Sequence, residues 1–560
     1  MNFKFRSKEQ ENFSKLLSAH LKNPDKPLLL EGATGLGKTR AYLYPLLQAA
    51  SEGKRVAIIL PTHQLIEQLI NSTDLKVCNL SSVDVQTFIP KRHFETPEEY
   101  KAQREAAIQA PVMLCTSASV IIDQRLGGKY NGVTERDYLL FDEADQLVDV
   151  AALQSDVSIS SATLRDFGVV AESALQTVKD LLNIAGLEPE DRAAAKIILD
   201  AINNPSWFNK KVGIDSDGGV SLYHKLPGRL LKRTANKPNS AFISATLTVA
   251  NKFDDFQRSM GIESTTIYSS IVEPQHHGKL SFKIADSYPT KTEEWWGAVL
   301  LEIDSADKPC LVVTSSHDIS NTLAEKSTNA ISRRQEIDET ASQAALRLLN
   351  DDTKDTLIAT AAWAGLDTPI IWKSIVVPKI PFSPPVNLDG KVESHYINSR
   401  NTAIRRMRQV IGRGLRSADA ECSIIICDPS WPQIESFIPS RFQQAWDENR
   451  TYSEGAARHV KLSQKERCQY LRKQALKEYG LVCHVCGMKP KTPNQIQIHH
   501  LDPIAEGERK TTIDDVRPLC GNCHLFAHSE TPPLTIEFMR AVEANPKPTN
   551  RDDKQIDRLS

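Results

Sequence analysis

Short apolar runs that end in glycine-rich or polar turns recur along the first part of the chain. Lys26-Pro27-Leu28-Leu29-Leu30-Glu31 is one, and Thr39 through Ala50 after its turn has the pattern of a helix. Tyr138-Leu139-Leu140-Phe141 and Leu311-Val312-Val313 repeat the strand pattern. Runs that are continuously apolar suit strands covered on both faces, as in a parallel sheet. Helical periodicity returns in Ala171–Leu182 and Asp191–Ile202, in a charged amphipathic stretch from Leu462 to Tyr479, and at Ile536–Val542. No apolar run approaches the roughly 20 residues that cross a bilayer.

The length of 560 residues predicts roughly three or four domains of about 150 residues each. A hydrophobic content of 40% is ordinary for a water-soluble chain, and a net charge of -2 gives no global pull toward nucleic acid. Any such binding must come from local patches such as Arg405, Arg406, Arg408, Arg413 and Arg416. Met1-Asn2-Phe3-Lys4-Phe5-Arg6 lacks the apolar core of a signal peptide, so the expected location is cytoplasmic, with no membrane partner. Four of the ten cysteines form Cys483-x-x-Cys486 and Cys520-x-x-Cys523. In a chain without an export signal, that spacing predicts zinc rather than disulfides.

Gly32-Ala33-Thr34-Gly35-Leu36-Gly37-Lys38-Thr39 lies between a strand and a helix, the context of a phosphate-binding loop. Its backbone N–H groups would cradle phosphate, with Gly35 and Gly37 permitting close approach. Lys38 would charge-pair the outer phosphates and Thr39 would offer a hydroxyl to magnesium. Asp142-Glu143-Ala144-Asp145 follows the Tyr138–Phe141 strand, which predicts Asp142 on magnesium and Glu143 polarising an attacking water. The bland alternative is an acidic helix start capped by Asp142. ATP and magnesium are the expected cofactors of this half.

Later segments complete a set: Ser244-Ala245-Thr246, Trp363-Ala364-Gly365-Leu366-Asp367, and Gln409-Val410-Ile411-Gly412-Arg413-Gly414-Leu415-Arg416. With the phosphate loop and the acidic box, these resemble motifs I, II, III, V and VI of superfamily 2 helicases. The Trp-x-Gly-x-Asp segment and the following Val377-Pro378-Lys379-Ile380-Pro381-Phe382-Ser383-Pro384-Pro385 are similar to the DinG and XPD branch, which unwinds DNA from 5′ to 3′. The resemblance runs from about residue 1 to about residue 443. It implies two RecA-like domains of α/β class, nucleotide contacts at Gln10, Gly365, Asp367 and Gln409, and arginines Arg413 and Arg416 reaching the phosphates from the opposite domain. Arginine suits that task because its planar fork binds phosphate oxygens bidentately and stays charged. Thr62 resembles motif Ia, and Thr314 and Ser315 resemble motif IV, which implies DNA contacts; the alternative is that they simply end strands. Many members of this branch hold an iron–sulfur cluster on four cysteines between motifs Ia and II, where this chain has Cys78 and Cys115. No iron–sulfur cluster is therefore expected. The helical stretch between motifs II and III resembles the arch that closes over single-stranded DNA, and a plain helical insertion is the alternative.

Near the C-terminus, His499-His500 lies between the two cysteine pairs, and His524 and His528 are spaced i, i+4. The paired Cys-x-x-Cys units can close a structural four-thiolate zinc site. The whole resembles an HNH endonuclease of ββα-metal fold. That resemblance implies His499, His524 and His528 as ligands of a divalent metal such as Mg2+, Mn2+, Ni2+ or Zn2+, and His500 as general base near neutral pKa. Asp515 stands where the family has an asparagine that pins the base, and an ionised carboxylate can accept but not donate.

The expected architecture is a first RecA-like domain (1–150), an arch-like insertion (151–235), the return of that domain (236–270), a second RecA-like domain (271–443), a linker (444–462), a zinc-stapled HNH domain (463–530) and a tail (531–560). A DinG-like helicase ending in an HNH domain is similar to the DinG–HNH effector of type IV CRISPR systems. This implies single- and double-stranded DNA as partners, plus a CRISPR ribonucleoprotein whose guide RNA opens an R-loop. Two alternatives stay open: a stand-alone antiphage or repair helicase-nuclease, and a translocase whose zinc module only binds DNA or a partner.

Overall fold

The structure is a computed structural model. It describes residues 3–204, 210–263, 267–273, 278–285, 288–334, 337, 339–366, 368–383, 386–393, 396–415, 420–434, 438, 451–452, 475–490, 492, 495–501, 512–529 and 534–544. The chain folds as two compact units, Met1–Ala456 and Ala457–Ser560.

The first unit is built on two parallel sheets. One contains β1 (Leu28–Gly32), β2 (Val56–Leu60), β3 (Val85–Thr87), β4 (Val112–Thr116), β5 (Tyr138–Phe141), β9 (Ser240–Ser244) and β10 (Tyr268–Val272), in the order β10-β1-β9-β5-β2-β4-β3. The other contains β11 (Lys279–Ile284), β12 (Cys310–Thr314), β13 (Ala330–Ser332), β14 (Thr356–Thr360), β15 (Ser374–Val377), β18 (Glu421–Ile426) and β19 (Thr451–Tyr452), in the order β13-β14-β12-β15-β18-β11-β19. The apolar runs are continuous because both faces of each sheet are covered. In β2, Val56, Ile58 and Leu60 enter one core cluster, while Ala57 and Ile59 enter the cluster on the opposite face. In β12, Leu311 and Val313 face one core, and Cys310 and Val312 the other.

Between β5 and β9 the chain leaves the first sheet to form an insertion with its own core around Ile159, Val178, Leu181, Ile198, Val220 and Leu222. Helices Ala174–Leu182 and Pro189–Asn203 occupy the periodic stretches expected for it. The insertion is not purely helical: β6 (Val157–Ile159), β7 (Lys210–Ile214) and β8 (Val220–His224) form an antiparallel sheet ordered β6-β8-β7. In the second domain, β16 (Val386–Leu388) and β17 (Lys391–Glu393) form a hairpin.

The long helix Tyr396–Arg413 serves both sheets. Ala403, Ile404, Met407, Val410 and Ile411 pack into the core of the second sheet. Its other face carries polar groups to the first domain. Arg408, with 2% of its side chain exposed, donates to Glu31 Oε1 at 2.6 Å and to the Thr248 carbonyl at 2.6 Å. Glu31 also accepts from the backbone N–H of Thr248 at 2.7 Å and from its hydroxyl. Asn401, two turns earlier, and Arg405, one turn earlier, bind Asp255. A charge this buried survives only when paired and hydrogen-bonded, and here it is both.

In the second unit, β20 (Ile496–His500) and β21 (Val516–Cys520) form an antiparallel pair followed by helix Gly521–Ala527, with helix Ile536–Ala544 beyond. The expected linker and the helix from Leu462 fall almost wholly outside the described residues, as does the tail apart from that last helix.

Arg408→Met leaves Glu31 buried without its cation, which is expected to cost about 3–5 kcal/mol. The Glu31→Met/Arg408→Met double variant should cost clearly less than the sum of the single changes. Urea unfolding followed by tryptophan fluorescence checks this, and additive losses would contradict an interdomain pair.

Candidate functional site

The phosphate loop starts where β1 ends and feeds helix Lys38–Ser51, whose cap, Gly37, has φ 75 and ψ 45. Only glycine takes that left-handed conformation cheaply. A Cβ on Gly37 would also collide with the Gln10 side-chain amide. Gln10 is fully buried, accepts from the Arg6 N–H at 2.8 Å, and donates to the Gly37 carbonyl at 2.9 Å. It therefore ties the N-terminal segment to the loop.

Lys38, Thr39, Asp142 and Glu143 of the first domain face Gly365, Gln409 and Arg413 of the second across one open cleft. Arg413 is anchored there by donating to the carbonyls of Leu366 at 2.5 Å and Trp363 at 2.9 Å. Gly412 lets its helix approach the loop, since a Cβ there would lie 2.5 Å from Thr34 Oγ1. Asp142 accepts from the Tyr42 hydroxyl at 2.9 Å. Burial, and after it the neighbouring Glu143, push the Asp142 carboxyl up to about 7 against the pull of Lys38 and Tyr42. A divalent cation is what stabilises an ionised carboxylate in such a place, so the residues fit magnesium. Glu143 has φ 47, a left-handed backbone uncommon outside glycine. Its carboxylate accepts from Ser244 Oγ at 3.2 Å.

Asp145, given no role by sequence, is the hub beside this cleft. It accepts from Ser244 Oγ at 2.6 Å, Thr246 Oγ1 at 2.7 Å and Gln409 Nε2 at 2.6 Å, so the acidic box touches two of the three later segments. Glu31 and Thr248 were likewise unmarked. Arg408 was legible only as one of several arginines on the same stretch.

Asp367 and Arg416 lie outside the described residues. Thr62 is exposed and caps helix His63–Asn71, accepting from the Leu65 N–H at 3.3 Å. Thr314 is a correction: its side chain is fully buried and its hydroxyl donates to Thr360 Oγ1 at 3.1 Å, so it faces the interior and not a DNA strand. Ser315 is half-buried just beyond β12. Cys78 ends a short helix and Cys115 lies within β4; burial pushes both thiols up to about 12.

In the second unit the sulfurs of Cys483, Cys486, Cys520 and Cys523 lie within 4.8 Å of one another. Cys486 and Cys520 are 3.8 Å apart. A tetrahedral zinc with Zn–S of about 2.3 Å requires sulfurs about 3.8 Å apart, so the cluster fits that ion. Ring nitrogens of His499, His524 and His528 also lie within 4.8 Å of one another. The ring of His499 is 5.5 Å from that of His524 and 5.0 Å from that of His528. His499 Nδ1 is buried with no hydrogen-bond partner among the described residues, as a nitrogen reserved for a metal would be. Burial, then the neighbouring His524, His528 and His500, push His499 down to about 4, which keeps it in the neutral form that a ligand needs. His500 is half-buried at the end of β20, opposite Val516. Next to it the Leu501 N–H donates to the Asp515 carbonyl at 2.9 Å. The Asp515 carboxylate accepts from the Thr512 N–H at 2.7 Å and hydroxyl at 2.8 Å, fixing the turn that leads into β21.

Family models match three stretches: DEAD/DEAH box helicase over residues 10–180, helicase C-terminal domain over 300–449, and HNH endonuclease over 483–530. The chain joins two helicase domains to an HNH domain. Over 209 residues it is 27% identical to ATP-dependent DNA helicase YoaA of Haemophilus influenzae, covering 33% of this chain and 32% of that protein. Over 169 residues it is 28% identical to DEAD-box ATP-dependent RNA helicase CshB of Staphylococcus aureus, covering 29% of this chain and 36% of that protein. The chain thus spans about a third of the length of the curated relatives it matches. A solved structure named XPD_Helicase superposes with a TM-score of 0.57 at 14% identity, covering 80% of this chain and 99% of that one. This supports an XPD-like fold with two RecA-like helicase domains. No helix among the described residues is long and apolar enough to cross a membrane.

The small core of the HNH domain makes its metal decisive. Cys523→Ser is expected to remove the zinc bound by the native chain and to melt the domain, since structural zinc contributes on the order of 10 kcal/mol or more. Zinc content by atomic emission, with limited proteolysis, checks this; a variant that keeps its zinc and its protease resistance would contradict it.

Proposed function

We propose that the chain is an ATP-driven DNA helicase, moving 5′ to 3′ on one strand, that carries a metal-dependent HNH endonuclease cutting the DNA it opens. One juxtaposition supports this most: Lys38, Thr39, Asp142 and Glu143 line the same cleft as Arg413 of the opposite domain. Nucleotide bound there would be held by the loop's N–H groups and Lys38, with Thr39 and Asp142 on magnesium. Glu143 would orient the attacking water, and Arg413 would stabilise charge on the transferring phosphoryl. Because Arg413 belongs to the second domain, hydrolysis changes the force between domains, which is how such a cleft drives movement.

In the HNH domain, His499, His524 and His528 would hold a divalent metal that stabilises charge on the phosphodiester. His500 takes the proton from the attacking water, and Asp515 keeps it in place through the turn at Thr512. Nothing in this arrangement reads base sequence. The similarity to the DinG–HNH effector of type IV CRISPR systems supports recruitment to an R-loop by a guide-RNA complex, where base pairing supplies the specificity. The motif order and the attached HNH domain favour DNA over RNA as the track.

On duplexes with either a 5′ or a 3′ single-stranded arm, ATP should drive unwinding only from the 5′ arm. His500→Ala should leave that unwinding intact and lower cutting at least about 100-fold. Adding the guide complex with a matched R-loop should concentrate cutting there. Unwinding from the 3′ arm, or cutting unaffected by His500→Ala, would refute the respective half, and cutting indifferent to the R-loop would refute the recruitment.

A further inference from the structure

Helix Lys38–Ser51 brings a third polar group to the nucleotide cleft besides Lys38 and Thr39. Tyr42 follows Lys38 by four residues and Thr39 by three, so the three side chains share one face of the helix. Its ring belongs to the core beneath the phosphate loop, with Phe13, Leu36, Leu43 and Leu140, and only 1% of the residue is exposed. The same residue borders the cleft. Packing of that kind needs only the ring, and a phenylalanine would supply it. The hydroxyl is the part that requires a reason, because burying one is costly unless it has a partner.

The partner is the carboxylate that fits magnesium. Tyr42 donates to Asp142 Oδ2 at 2.9 Å, and the Glu143 N–H donates to Asp142 Oδ1 at 2.9 Å. Both oxygens are thus fixed, and so is the backbone, since the Asp142 N–H donates to the Ile59 carbonyl at 2.9 Å. The Thr39 side chain hydrogen-bonds the same phenol. Tyr42 therefore stands between two groups that arrive from different elements, Thr39 from the start of the helix and Asp142 from the end of β5. A phenol suits this place because it can accept from one hydroxyl while it donates to a carboxylate. Each carboxylate oxygen keeps a second lone pair for a cation.

We propose that Tyr42 is a positioning residue of the motor, whose hydroxyl sets Thr39 and Asp142 as a pair before nucleotide arrives, so that the site is ready for magnesium without reorientation of the carboxylate. This rests on the reading that Thr39 and Asp142 hold the magnesium of the nucleotide. Groups that orient a metal ligand without touching the metal change metal affinity by about 10- to 100-fold when they are removed. The effect of Tyr42 accordingly falls on the metal-dependent part of nucleotide binding. The metal-free part is left to the loop N–H groups and Lys38.

The test measures binding of a fluorescent, non-hydrolysable ATP analogue to the full chain, in EDTA and in excess magnesium, for the native chain and Tyr42→Phe. Phenylalanine keeps the ring and its packing. Magnesium should raise the affinity of the native chain, and in Tyr42→Phe that gain should shrink about 10-fold while the affinity in EDTA stays the same. An unchanged magnesium gain overturns the proposal. So does an equal loss in EDTA and in magnesium, which would make Tyr42 a packing residue alone; Tyr42→Leu, lacking both ring and hydroxyl, shows what such a loss looks like. If magnesium does not raise the affinity of the native chain, the assignment of Thr39 and Asp142 to the metal falls as well. If it does and only the variant departs from the prediction, that assignment stands without Tyr42.

Discussion

The buried pair of Arg408 and Glu31, with Thr248 closing the triangle, fixes how the two sheets of the first unit meet. Glu31 precedes the phosphate loop by one residue, and Arg408 precedes Arg413 by little more than one helical turn. The register of the loop against the long helix is therefore set at the pair, which puts Gly412 against Thr34 and Arg413 in the cleft. Removing either ion alone would strand the other as a buried unpaired charge, at a cost of several kcal/mol.

The two units obtain their order in different ways. The sheets of the first unit are buried on both faces, and their C-terminal ends deliver the phosphate loop and the acidic box to one edge, where open parallel sheets bind ligands. The described core of the second unit is Cys483, Ile496, Leu519, Cys520, Cys523, Ala527, Ile536 and Met539. Three of those eight are cysteines, so apolar burial alone is a thin basis for a fold, and a thiolate-bound zinc would supply what the core lacks. The same strand pair and helix that carry Cys520 and Cys523 carry His499, His500 and His524, so a zinc on the cysteines would also hold the histidine cluster in place.

Much of this was legible in the sequence because the chemistry demands particular residues at particular spacings. Glycines at 35 and 37, the carboxylates at 142 and 143, the two cysteine pairs and the three histidines could be placed without coordinates. Interactions between distant segments were not legible. Glu31 and Arg408 are 377 positions apart, and neither spacing nor periodicity marks an ion pair of that kind. Thr314 misled because the end of a strand looks the same whether its side chain faces solvent or, as here, a second threonine. The strands of the insertion escaped because Lys-Lys-Val-Gly-Ile and Val-Ser-Leu-Tyr-His are short and weakly alternating.

The most direct test of one chain coupling a motor to a nuclease is a map of cut positions on a long duplex with a single 5′ loading arm, taken over time at limiting and saturating ATP. Coupling predicts cuts that spread away from the arm, farther with more ATP, and that stay at the arm in Lys38→Ala. Cuts with the same distribution whether or not ATP is present would show that the two halves work independently.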